Sequence, residues 1–86
     1  MPEISRFFGI IIAIFYSDHN PPHFHARYES YKAVIKIDTL TVLEGYLPPR
    51  VLGLVMEWAF IHKDELLKDW ELAGVKKPLM PIEPLR

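Results

Sequence analysis

The sequence contains no cysteine and carries a net charge of only −1. The first absence excludes disulfide bonds and thiolate metal ligands, and with them the disulfide-rich class of small secreted proteins, so cytoplasmic residence is expected. The near-neutral charge, with an isoelectric point of 6.4, excludes the broad positive surface of a general DNA or RNA binder. A nucleic-acid role would therefore require a local patch of cations.

The sequence also lacks an apolar run long enough to cross a bilayer. The most apolar segment, Gly9 to Tyr16, has eight residues, whereas a membrane-spanning helix needs about 20. It is not typical of a secretion signal either, because Glu3 precedes it and Asp18 follows where a cleavage site requires small residues. Four isoleucines in this segment favour a buried β-strand, and no membrane association is expected.

The chain is long enough for one domain with a single core, which we expect to span residues 1–86. Half of its residues are hydrophobic, and it contains five Phe, four Tyr and two Trp. These side chains provide enough burial for a folded globule and exclude a disordered chain. No internal repeat or low-complexity tract divides the sequence.

Hydrophobic periodicity predicts strands in the first half of the chain and one helix in the second. The predicted strands cover residues 8–16, 23–29, 31–37 and 40–45. The helix is predicted to start at Pro48-Pro49 and to end at Gly74. The fold class is therefore α+β, with a small antiparallel sheet of three or four strands packed on one long C-terminal helix and an extended Pro-rich tail.

The strand pair joined at Glu29-Ser30 has a predictable register. With an even-numbered turn the apolar residues fall opposite one another, as Phe24 with Ile35, Ala26 with Ala33, and Tyr28 with Tyr31. The other face then pairs His23 with Lys36, His25 with Val34, and Arg27 with Lys32. A shift of one residue would destroy this match, so the even turn is predicted.

The core-facing stripe of the helical segment is apolar in its first half and polar in its second half. A core-facing stripe at helical spacing comprises Val51, Val55 and Trp58. The same angular position continues as His62, Glu65 and Asp69, so either the helix extends beyond the sheet or these groups line a shared polar pocket. Inside this helix Gly53 costs roughly 1 kcal/mol against alanine, and close packing against the sheet is therefore expected there.

The stretch SDHNPPHFHARYES, residues 17–30, contains three of the four histidines. On a strand, His23 and His25 project to the same side with α-carbons about 6.6–7 Å apart, so both can reach one ion. His19 can approach across the proline turn. Three imidazoles and a water would form a divalent metal site of the catalytic zinc type. One hypothesis is therefore a metal-binding domain that uses His19, His23 and His25.

A second hypothesis uses the same face without a metal. His23 and His25 exchange protons near neutral pH, while Arg27, Lys32 and Lys36 add positive charge beside them. This set suits cleavage of an RNA phosphodiester, with acid/base roles for the two histidines and phosphate contact for Arg27. A third interpretation is a sheet face whose polar residues are only in contact with solvent.

Two separated motifs, DHNPPHFHARY and EWAFIHKDELLKDWELA, resemble the domain-of-unknown-function 4160 family of small bacterial and archaeal proteins. The resemblance implies no established activity. The motif positions that it singles out are Asp18, His19, His23, His25, Arg27, Glu57, His62 and Glu65. Members of this family often lie beside genes of the domain-of-unknown-function 2442 family, an arrangement similar to a toxin and antitoxin pair.

The leading hypothesis is a toxin-like component of a two-gene bacterial module that acts on RNA or another phosphate-bearing molecule. The expected catalytic residues are His23, His25 and Arg27, and the expected binding residues are Lys32, Lys36, His62 and Glu65. Its partner would be a small protein of the 2442 family. The metal-binding domain and a non-enzymatic protein-interaction module are the alternatives, and a sheet open on one side also allows a homodimer.

Overall fold

A computed structural model describes residues 2–86. The elements are β1 (Glu3–Phe7), β2 (Ile10–Ala13), β3 (His23–Tyr28), β4 (Tyr31–Lys36), β5 (Val42–Gly45), α1 (Pro49–Ile61) and α2 (Lys63–Gly74). The strands form one antiparallel sheet in the order β1-β2-β3-β4-β5. The α+β class is confirmed, but the predicted three or four strands and single helix are wrong in detail, because the described residues form five strands and two helices.

The additional strand, β1, precedes the segment predicted as one strand over residues 8–16, and a tight turn at the start of that segment joins it to β2. β1 ends at Phe7 and β2 begins at Ile10, so only Phe8 and Gly9 connect them. Both have positive φ, at 50° and 79°, as a two-residue hairpin turn of the right twist requires. The turn places Ile10 and Ile12 in the core, where both are fully buried.

The register predicted for β3 and β4 is confirmed at all six pairs. Phe24 lies opposite Ile35 and Ala26 opposite Ala33 on the core face, while Arg27 lies opposite Lys32 on the other face. The core lies between one face of the sheet and the two helices, with Trp58 fully buried and its ring 5.4 Å from that of Phe7. On the opposite face, called the uncovered face below, the area around Arg27 and Lys32 is lined within residues 2–86 by strand and loop residues alone.

The predicted single helix is interrupted at His62. α1 begins at Pro49, as predicted, and His62 ends it with φ −110° and ψ 24°, so that α2 starts at Lys63 and continues to Gly74, the predicted end. Asp64 and Glu65 stand in the first turn of α2, where negative charge interacts favourably with the helix dipole. Neither α1 nor α2 has the length and hydropathy of a bilayer-spanning helix.

Gly53 does not pack closely against the sheet, so that expectation is wrong. The residue is exposed, and a β-carbon built on it would meet nothing within 4 Å. The reason is its position on the solvent side of α1, away from the stripe formed by Val51, Val55 and Trp58.

Residues 79–86 form an extended segment, here called the C-terminal strap, that crosses the edge of the core. Three hydrogen bonds hold it, from Met80 N to Asp69 Oδ1, from Ile82 N to Ile4 O, and from Trp58 Nε1 to Glu83 O, each 2.8 Å long. Ile82 is buried among core residues. The extended Pro-rich tail predicted from the sequence is therefore present and is part of the core.

Asp69 anchors the strap from α2 and is only 1% exposed. Its Oδ1 accepts the Met80 N–H, whereas Oδ2 has no hydrogen-bond partner among residues 2–86. Burial raises the pKa of this carboxyl above its ordinary value, the Met80 hydrogen bond opposes the change, and the charge of Glu65 adds to it. Asp69, one of the polar residues on the predicted helix stripe, is therefore buried.

Candidate functional site

Three side chains converge at the start of β3. Residues 14–22 connect β2 to β3 and bring Asp18 beside the strand, while His23 and His25 project from β3 on the side opposite the core face. Asp18 Oδ2 lies 2.8 Å from His23 Nε2 and 3.4 Å from His25 Nε2. One ligand atom from each residue lies within 4.8 Å of the other two. These residues are called the Asp-His-His cluster below.

The loop backbone orients Asp18 toward the histidines. The His19 backbone N–H donates to Asp18 Oδ1 at 2.9 Å, which leaves Oδ2 directed at the two rings. The Ser17 N–H donates to the Ala73 carbonyl and so fixes the loop to the end of α2. Burial alone would raise the pKa of Asp18, but the His19 N–H and the two histidine rings more than offset it and hold the pKa below its usual range. The carboxylate form is therefore favoured.

His23 is buried between two oxygen acceptors. Its Nδ1 lies 2.8 Å from the Pro21 carbonyl, and its Nε2 faces Asp18. A carbonyl oxygen can only accept a hydrogen bond, so Nδ1 carries a proton. Nε2 then either carries a second proton or directs a lone pair at a carboxylate. The ring also packs 5.0 Å from that of Trp70, which limits its rotation.

His25 faces the open side of the sheet and is partly exposed, at 26% of its side chain. Its ring lies 4.0 Å from that of Phe15. Burial lowers the pKa of His25, and hydrogen bonding to Asp18 offsets this only in part. The neutral imidazole, with one nitrogen lone pair free to act as a base or ligand, is therefore favoured near neutral pH.

His19, the third predicted metal ligand, lies on the solvent side of the loop. Its side chain is 92% exposed, its Nδ1 lies 3.2 Å from Asp18 Oδ1 rather than Oδ2, and its ring lies 6.1 Å from that of His23. The structure thus brings His23 and His25 together, as predicted, with Asp18 as the third member of the group.

His62 and Glu65 belong to a different part of the surface. They bond to each other across 2.5 Å where α1 meets α2, and the His62 ring lies 5.5 Å from that of Trp58. Glu65 lines a depression of about 160 Å³ with Asp69 and the strap. Neither residue belongs to the Asp-His-His cluster. Of the three polar positions on the predicted helix stripe, Glu65 and Asp69 share a depression.

A larger depression of about 320 Å³ occupies the uncovered face of the sheet, immediately beside His25. It is called the open-face depression below. Its lining comprises Ile11, Ala13, Phe15, His25, Ala26, Arg27, Lys32, Ala33, Val34, Glu44 and Gly45. Two predicted residues, Arg27 and Lys32, therefore lie close to the cluster, while Lys36 is the strand neighbour of His23.

Two partners of the histidines, Asp18 and the Pro21 carbonyl, were not predicted from the sequence. Asp18 precedes His23 and His25 by five and seven positions and belongs to the same DHNPPHFHARY motif, and these were the available signals. Spacing across a loop gives no direction for a side chain, whereas the alternation within a strand does. The partners of the histidines can therefore be identified only from the path of the loop in the structure.

A family model for a domain of unknown function (DUF4160) matches residues 9–71, which include the Asp-His-His cluster and most of the fold. The resemblance found from the two sequence motifs is thereby confirmed. No curated protein and no solved structure matches the chain. The family description assigns no chemistry, so the geometry of the cluster is the basis for a functional proposal.

Proposed function

We propose that this chain, which belongs to the DUF4160 family, binds one divalent transition-metal ion through Asp18, His23 and His25 and presents it to the open-face depression as a hydrolytic centre. The observation that carries the proposal is the environment of His23. Its Nδ1 donates to a carbonyl, and its Nε2 lies 2.8 Å from a carboxylate oxygen. A cation between Nε2 and Oδ2 would satisfy both atoms.

The donor set fits such an ion. Two imidazole nitrogens and one carboxylate oxygen suit zinc and related divalent metals. Ligand atoms of a tetrahedral zinc site lie about 3.4 Å apart, which matches the 3.4 Å between Asp18 Oδ2 and His25 Nε2. The hydrogen bond from His23 Nδ1 to the Pro21 carbonyl is the outer interaction that commonly orients a histidine ligand.

The residues around the cluster hold both histidine rings and leave His25 partly exposed. Trp70 packs on His23 and Phe15 packs on His25, so both rings are held in place from the sides. The partial exposure of His25 leaves the cluster reachable from the open-face depression. A divalent ion bound there would supply Lewis-acid chemistry and lower the pKa of a coordinated water toward neutrality.

The experiment is a calorimetric titration of tag-free, chelator-treated protein with Zn²⁺. We expect one equivalent to bind, and we expect His23→Ala and Asp18→Asn to weaken binding by about 100-fold or more because each removes a ligand. At 100 times the dissociation constant, Zn²⁺ is expected to stabilise the fold by about 2.7 kcal/mol, which a melting curve would detect.

His19→Ala is the matched control, because it removes a neighbouring imidazole that is 92% exposed. It is expected to bind Zn²⁺ like the unaltered protein. Absence of both binding heat and a melting shift in the unaltered protein would refute the metal site and leave Asp18 and His23 as a proton-sharing pair. An equal loss of affinity in His19→Ala and Asp18→Asn would contradict the choice of ligands.

The second candidate function is a toxin-like ribonuclease of a two-gene module, with a small family-2442 protein as its partner. It is favoured by the position of Arg27 and Lys32 in the same depression as His25, since acid/base cleavage of RNA needs cations near the phosphate. Induced expression is expected to slow bacterial growth and degrade RNA, and His25→Ala to abolish both effects. Normal growth with intact RNA on induction would remove this candidate.

A further inference from the structure

Arg27 and Lys32 form an unusual cross-strand pair on the uncovered face of the sheet. They lie directly opposite each other on β3 and β4, and both are exposed. Like charges in directly opposed positions destabilise a sheet. Within residues 2–86 neither cation forms an ion pair with a carboxylate. In a chain of net charge −1, this pair concentrates positive charge on the uncovered face, where the Glu3 carboxylate interacts with Arg27 without forming an ion pair.

The side chains around this pair lie in rows that run across the strands of the sheet. The first row contains Ile11 on β2, Arg27 on β3 and Lys32 on β4. The next row, one strand repeat or about 7 Å away, contains Ala13, His25, Val34 and Glu44 in consecutive strands. The two cations therefore lie one row from His25, and Ile11 and Val34 form an apolar floor beside them.

We propose that the open-face depression binds a nucleoside phosphate. The inference rests on the proposed hydrolytic function, for which it names the class of substrate. The phosphate contacts Arg27 and Lys32, and the base lies on the apolar floor formed by Ile11 and Val34. Glu44, at the far end of the histidine row, is placed to accept a hydrogen bond from an N–H group of the base. The volume of about 320 Å³ suits a single small ligand.

The chemistry of the lining favours this occupant over others of similar size. An apolar ligand without charge would leave two neighbouring guanidinium and ammonium groups uncompensated, whereas a bare phosphate would leave the apolar floor exposed to water. A phosphate also accepts charge-assisted hydrogen bonds from both cations at once. The phosphate would thus offset the like charges that the strand register places opposite each other.

The test is calorimetric titration of the metal-free protein with uridine 5′-monophosphate, with uridine and inorganic phosphate as separate probes. We expect the nucleotide to bind at least about tenfold more tightly than either fragment, because only the nucleotide uses both the cations and the apolar floor. The variant Arg27→Gln with Lys32→Gln is expected to lose about tenfold or more in nucleotide affinity.

The matched control is Arg50→Gln with Lys68→Gln, which removes the same charge from two exposed positions on the helices. It is expected to bind the nucleotide within about twofold of the unaltered protein, since screening weakens distant charges. The Arg27/Lys32 variant is expected to fold, with an unchanged or higher melting temperature, because a like-charge contact is lost. Equal weakening in both double variants would overturn the proposal.

A tetraribonucleotide distinguishes a free nucleotide from a nucleotide within an RNA chain. Affinity for it similar to that for uridine 5′-monophosphate supports a site for one nucleotide, whereas binding more than about tenfold tighter overturns that site in favour of an extended RNA surface. Retention of nucleotide binding in His23→Ala separates this inference from the metal proposal. No nucleotide binding, together with a dimer that Val34→Glu disrupts, would assign the face to a second copy and overturn the inference.

Discussion

Deletion of residues 79–86 is expected to abolish the cooperative unfolding transition. The deletion removes the buried Ile82 and the three hydrogen bonds of the C-terminal strap. Burial of one isoleucine contributes about 1.5–3 kcal/mol, and each net hydrogen bond contributes about 1 kcal/mol. A domain of this size has little stability beyond that. Urea unfolding followed by circular dichroism, with amide dispersion in a proton NMR spectrum, measures the effect.

Arg86→Ala provides the control for the strap, because its side chain is 78% exposed and pairs only with the equally exposed Glu83. Such surface pairs contribute about 0–1 kcal/mol, so the unfolding midpoint is expected to stay nearly unchanged. A truncated protein that unfolds cooperatively at the midpoint of the full chain would show that the strap contacts contribute no stability.

The second large effect is expected for Trp58→Ala, which should destabilise the fold by about 3–5 kcal/mol. Trp58 is fully buried, packs against Phe7 and Phe24, and donates its indole N–H to the Glu83 carbonyl. Alanine would leave a cavity and an acceptor without its donor. Trp58→Phe retains the ring and should cost less, about 1–3 kcal/mol.

Phe60→Ala is the comparison for Trp58→Ala, since it removes an aromatic ring from the same helix at a position that is 76% exposed. It is expected to change the free energy of unfolding by less than about 0.5 kcal/mol. Chemical denaturation of the three variants measures these differences. Equal destabilisation by Trp58→Ala and Phe60→Ala would contradict the position of Trp58 at the centre of the core.

The part of the fold that follows from simple periodicity was predictable. The register of β3 and β4 depends on alternation, and the boundaries of the helical region depend on Pro49 and Gly74, whose backbone preferences are local. The Phe8-Gly9 turn was missed because phenylalanine seldom adopts positive φ, so no common turn signal separates β1 from β2. The break at His62 was missed because the helical spacing continues through it.

The candidate site was predictable only where it depends on the alternation of side chains along a strand. His23 and His25 share a face because they are two residues apart on a strand, and Arg27 follows by the same rule. Asp18 could not be assigned, because its direction depends on a hydrogen bond from Ser17 to the end of α2, a contact between distant parts of the chain. Burial of Asp69 by the strap is likewise a long-range effect that helix spacing does not reveal.

The order of the strands in the sheet matches their order in the chain, and this has a consequence for folding kinetics. Each pairing closes a short loop, which costs little conformational entropy and favours rapid formation. The hydrogen bond between Ile82 and Ile4 joins opposite ends of the chain and closes a far longer loop. The hairpins should therefore form early, whereas the Asp18 loop, which is fixed to the end of α2, and the strap should dock late and complete folding.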